Sequence, residues 1–105
     1  MKLLTEEILK RFEKIGSQEE EKDPFVIVKF FNPTGAGTWF ATEYNKQDRI
    51  FFGYASISGD HNDEWGYFSL SELENFRGIG GLGIERDLYC IEKRISEFNV
   101  LSLSK

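Results

Sequence analysis

The sequence predicts an α+β domain, an antiparallel β-meander of about four or five strands packed with two short helices. Three observations carry this reading. Apolar residues near the N-terminus recur at helical spacing, three β-branched and aromatic runs follow with turn residues between them, and a capping box at Ser69 opens a second helical run.

The first helix starts after Thr5, whose hydroxyl suits an N-cap, with Glu6 and Glu7 where the helix dipole favours negative charge. Ile8, Leu9, Phe12 and Ile15 fall on one face, Lys10, Arg11 and Lys14 lie towards the C-terminal end, and Gly16 and Ser17 end the run. Ser17 to Asp23 then reads as an acidic, solvated connection containing Glu19, Glu20 and Glu21.

Three extended segments follow. Phe25 to Phe31 starts directly after Pro24, Thr38 to Tyr44 follows the turn Asn32 to Gly37, and Arg49 to Ile57 follows the turn Asn45 to Asp48. Such short links between strands predict antiparallel neighbours. Rings alternate onto both faces, so helix is expected on one side and a loop or a partner on the other. Trp39, Phe52 and Phe68 are the expected core rings. A polar loop from Ser58 to Glu64 leads to a short fourth strand, Trp65 to Phe68, and Ser69 with Glu72 fits a capping box for a helix over Ser71 to Phe76. That helix turns Leu70, Leu73 and Phe76 inward, and the glycines from Gly78 to Gly83 stop it. In the tail a strand at Leu88 to Ile91 followed by irregular chain is favoured over a helix through Glu92 to Phe98.

The 105 residues form a single domain, 1–105, since two halves would each be too small to close a core unaided. Aromatic residues make up 15 %, which lets a chain of only 40 % hydrophobic content build that core. A single cysteine excludes an intrachain disulfide and any multi-cysteine zinc module. No apolar run approaches the roughly 20 residues that span a bilayer. The N-terminal residues lack the pattern of a signal peptide, so a cytoplasmic protein is expected. The net charge of −5 argues against direct stable binding of nucleic acid through its phosphates.

Gly78, Gly80 and Gly83 spell G-x-G-x-x-G, but they follow a helix and precede no helix, so a loop capping the preceding helix is expected rather than a nucleotide site. Asp60 to Glu64 is the densest group of potential ligands and holds His61, the only histidine. A calcium loop fails there, because Trp65 occupies the position that needs glycine and Ser71 the closing position. A structural divalent ion such as zinc on Asp60, His61 and Asp63, helped by Glu64 or Cys90, remains the candidate metal centre, with no cofactor required. Cys90 reads as a buried, inert thiol. Glu43, in the middle of an apolar strand, calls for an ion-pair partner such as Arg77 or Arg86. Exposed rings beside acidic loops suit a protein-binding surface, the rings as anchors and the charge selecting a basic partner.

The segments Leu3 to Ile8, Val28 to Phe31, Thr38 to Glu43, Phe51 to Tyr54, Gly66 to Glu74, Arg77-Gly78 and Ile84 to Leu88 occur in an order that resembles a small-domain family of unknown function from plasmids, conjugative elements and phages. The resemblance covers Leu3 to about Glu92. It brings no reaction, cofactor or catalytic residue. It implies the company of mobile elements, whose small acidic proteins often act as counter-defence factors of the anti-restriction and anti-CRISPR kind. The expected function is therefore non-enzymatic inhibition of a bacterial defence nuclease, a Cas9-type effector with basic channels, inside the bacterial host cytoplasm. The expected contacts are Glu19, Glu20, Glu21, Asp23, Asp60, Asp63 and Glu64 for charge, with Trp65 and Tyr67 as anchors. An accessory protein of conjugation or plasmid maintenance is the alternative, and a small metal-dependent hydrolase the second alternative.

Overall fold

The computed structural model describes residues 2–56 and 63–98. Helix α1 (Glu6–Ile15) starts as its sequence requires, with the Thr5 hydroxyl accepting the Ile8 amide at 3.2 Å. Gly16 ends it at a φ of 64°, a left-handed turn in which its amide reaches the Phe12 carbonyl.

Seven strands follow: β1 (Phe25–Val26), β2 (Val28–Phe31), β3 (Thr38–Asn45), β4 (Ile50–Ser56), β5 (Glu64–Ser69), β6 (Glu85–Arg86) and β7 (Lys93–Arg94). Helix α2 (Leu70–Asn75) directly follows β5, with the Ser69 hydroxyl accepting the Glu72 amide as the capping box predicts. The main sheet is antiparallel in the order β5-β4-β3-β2-β6, and β1 pairs with β7 in a separate two-stranded sheet. The meander and both helices stand as expected, except that α2 ends at Asn75 and Phe76, expected inward, is exposed.

The first predicted strand is split. Ile27 donates its amide to the Ala41 carbonyl, but β1 before it leaves the main sheet to meet β7, with Phe25 opposite Arg94 and Val26 opposite Lys93. The tail differs from the expectation as well. Leu88 to Ile91 forms no strand, and Leu88, Tyr89 and Ile91 are exposed; the pairing residues are Lys93 and Arg94, followed by a 3-10 turn at Ile95–Glu97. Arg94 earns its place through contacts that β-propensity does not encode, stacking 4.4 Å from the Phe25 ring centre and donating to the Asp23 carbonyl. The glycine segment does not cap α2 either. The Phe76 amide closes that helix on the Glu72 carbonyl, while Gly78 bonds to Leu82 across its own loop.

The front of the sheet carries the larger core. Phe51, with no exposed surface, has four ring neighbours: Phe12 from α1, Phe30, Tyr44 and Phe68, at centroid distances from 4.7 to 5.9 Å. Leu70 and Leu73 of α2 join the same cluster. A smaller core lies on the back, where Val26, Phe40, Tyr54 and Ile95 meet and Phe98 and Trp65 pack on them. The two faces are thus covered by different means, helices in front and the β1–β7 ribbon behind. Of the three expected core rings, Trp39 and Phe68 only border the front cluster, and Phe52 lies on the opposite face because its neighbour Phe51 takes the inward position.

Candidate functional site

The back of the sheet is only half covered, and the open half forms a groove. Its floor is a row across three strands, Glu43 opposite Phe52 and Phe52 opposite Tyr67. Residues paired across antiparallel strands share a face, so all three side chains leave the sheet on the same side.

Glu43 reaches that face through a break in the ladder. Regular alternation from Ala41, which is in the front core, would point Glu43 at the Phe51 cluster. The register of β3 against β4 shifts between Ala41 and Glu43, leaving Thr42 as the extra residue. The Thr42 hydroxyl donates to the Phe52 carbonyl at 3.1 Å, and the buried Gln18 amide donates to the Thr42 carbonyl. The carboxylate therefore lies on an open surface and takes no partner from Arg77 or Arg86, contrary to the expectation. Arg77 instead donates to the Glu74 and Phe76 carbonyls, and Arg86 to the Lys2 carbonyl.

The loop after α1 forms the groove's wall. Gln18 accepts the Phe25 amide at 2.8 Å and donates to both the Phe25 and Thr42 carbonyls, which fastens the loop to the back of the sheet. The cavity beside it measures about 540 Å³, with Glu13, Ser17, Glu43, Asp48, Phe52 and Tyr67 among its lining residues. A smaller hollow of about 260 Å³, lined by Glu19, Glu43, Phe52 and Tyr67, adjoins it. Four carboxylates thus border one aromatic floor, and no lysine or arginine is among the lining residues described. Tyr67 is 79 % exposed and meets Phe52 edge to face at 5.1 Å, while Trp65 stacks on the other side of Phe52 at 6.0 Å.

The expected contact residues separate into groups. Glu19, Trp65 and Tyr67 gather around Phe52. Glu20 is exposed, and Glu21 approaches Arg94 at 3.4 Å. Asp23 is engaged internally, accepting from the Ser96 hydroxyl at 2.6 Å and the Ser96 amide at 2.9 Å, and these bonds hold its carboxyl below the usual range. Glu64 opens β5 and is exposed. Asp63 precedes it, and its Oδ1, like Trp65 Nε1, is buried with no hydrogen-bond partner among the described residues. Asp60 and His61 lie outside the described residues, and with them the greater part of the expected metal centre. Cys90 is half-buried, not fully as expected; burial, then the charge of Asp87, pushes its thiol up, which disfavours the thiolate.

Sequence reasoning missed Glu13, Glu43, Asp48 and Phe52. An acidic residue inside an otherwise apolar strand was the available signal for Glu43. Glu13 and Asp48 belong to a helix and a turn that only the folded chain brings to one hollow.

Such a groove is suited to binding. Cations are drawn to ring faces and to carboxylates, and a patch holding both selects a Lys or Arg side chain over an acidic or neutral one. Among the described residues, no helix is long and apolar enough to cross a membrane. A protein-family model described as "Protein of unknown function (DUF2958)" matches residues 3–102. No curated protein and no solved structure matches the chain.

Proposed function

This chain belongs to the DUF2958 family of unknown function, and on that footing we propose that it acts by stoichiometric protein binding, holding a basic surface of another protein in the groove over Phe52. The observation that carries the reading is the concentration of Glu13, Glu19, Glu43 and Asp48 around exposed aromatic rings. The specific target in this proposal is a bacterial defence nuclease of the Cas9 type, blocked on behalf of a mobile element. Such effectors hold guide and target strands in positively charged channels, and a −5 protein with aromatic anchors complements the approaches to them. The carboxylates steer the encounter, and the rings hold the complex once formed.

A cleavage assay over a panel of effectors, with the protein added at rising ratios, tests this. Loss of cleavage near equimolar protein is the expected result. The double variant Glu13→Lys with Glu43→Lys should slow association by roughly tenfold at low salt, with the difference shrinking as salt rises. Full activity at large excess, with no complex on size exclusion, rejects the nuclease target. Co-elution with a conjugation or plasmid-maintenance protein would then favour the accessory role.

A further inference from the structure

We propose that the outer edge of β5 accepts an extended segment of a partner protein, carrying Lys or Arg at alternate positions, as a sixth strand of the main sheet. The inference rests on the protein-binding reading but uses a different surface, the sheet edge rather than the groove.

The backbone geometry comes first. β5 has β4 on one side, and among the described residues no strand pairs with its other side. The Leu70 amide donates to the Arg49 carbonyl at 3.0 Å, one step beyond the Ile50–Ser69 pair. Hydrogen-bonded pairs alternate along an antiparallel ladder, so Phe68, Gly66 and Glu64 exchange bonds with β4 while the N–H and C=O groups of Trp65 and Tyr67 point outward.

Proteins usually blunt such an edge with lysine, proline, a bulge or a very short strand. β5 has six residues, none of them lysine or proline, and its register against β4 is unbroken from Glu64 to Ser69. The opposite edge, β6, is only two residues long. Gly66 leaves open space over the front face of the strand.

Charge selects the occupant. Side chains of an added strand alternate between the faces, so on the back they fall beside Trp65 and the exposed Tyr67 ring, where a cation is favoured. On the front they fall beside the exposed Glu64. A second copy fits less well. A two-fold axis normal to a continuous sheet would bring both acidic grooves to the same side and join two bodies that each carry −5.

The test titrates a short, end-capped peptide alternating valine with arginine into the full chain, beside twins N-methylated on alternate residues in either register. Binding should slow amide exchange at Trp65 and Tyr67 by about tenfold or more, with Gly66 and Phe68 unchanged, since their amides already bond to β4. At least one methylated twin should fail to bind. Tyr67→Pro should weaken binding roughly tenfold beyond Tyr67→Ala, because proline also removes an outward N–H. Its circular dichroism should stay native, as proline is tolerated where the N–H faces solvent; if it unfolds, the exchange pattern and the twins decide. Binding that survives Tyr67→Pro and both methylations but is lost in Glu43→Lys puts the peptide in the groove, which overturns the edge assignment and leaves the binding reading standing. No binding at millimolar peptide overturns the edge, while the nuclease assay still judges the groove. A dimer in sedimentation that Tyr67→Pro dissociates makes the occupant a second copy and overturns the proposal.

Discussion

The Gln18 side-chain amide donates to the Thr42 carbonyl at 2.8 Å, fastening the loop after α1 to the residue at which β3 slips its register. Gln18 is 4 % exposed and also holds the amide and carbonyl of Phe25. Truncation leaves three backbone groups to find new partners. Gln18→Ala should destabilise the fold by about 2–3 kcal/mol, each unsatisfied buried group costing about 1–3 kcal/mol before water relaxes in. Urea denaturation measures it, and a loss under about 0.5 kcal/mol would show that the loop holds without this clamp.

Adjacent phenylalanines should separate stability from binding. Phe51→Ala removes the hub of four ring contacts and should cost about 3–5 kcal/mol. Phe52→Ala, on the open face, should cost less than half as much and lower affinity for the partner. Equal thermal shifts for the two variants would contradict the assignment of faces.

Gly53 tolerates no side chain. A methyl group there would stand 1.9 Å from the Phe40 carbonyl oxygen, a backbone atom fixed by the β3–β4 ladder. Gly53→Ala should destabilise by about 3 kcal/mol or more, through forced separation of the strands. Gly66→Ala, with open space around it, serves as the control and should leave the melting temperature nearly unchanged.

Asp23 should shape the acid limb of stability. Its carboxyl is held low first by the Ser96 hydroxyl and then by the Ser96 amide, so the folded value lies below the unfolded one. The stabilisation is therefore complete above the unfolded value of about 3.9 and fades as pH falls through the folded value. Asp23→Asn should lower Tm at neutral pH, and the gap from the wild type should close on acidification. A gap independent of pH would mean that the contact stabilises without its charge.

Local chemistry was legible where one stretch of chain decides the outcome. The Thr5 cap, the Gly16 stop and the Ser69 cap are such cases, since each bond is made within three or four residues. The split at Ile27 and the bulge at Thr42 depend on which strand lies alongside, and propensity along one chain contains no register. The pairing of Lys93 and Arg94 with β1 was hidden for a related reason: the contacts of Arg94 to Asp23 and Phe25 are tertiary. Of the groove, Glu19, Trp65 and Tyr67 were visible as charge and ring beside turns. Glu43 was visible as an anomaly, but its outward direction was not.

The β1–β7 ribbon joins residues far apart along the chain, which makes it a late event in folding. The front-face cluster takes its members from Leu3 to Ile84 and needs nothing from the ribbon, so it can form first. Val26, Phe40 and Tyr54 must wait for Ile95. Until the ribbon docks, those three side chains stay uncovered beside the acidic groove, and the partly folded chain is at its most aggregation-prone.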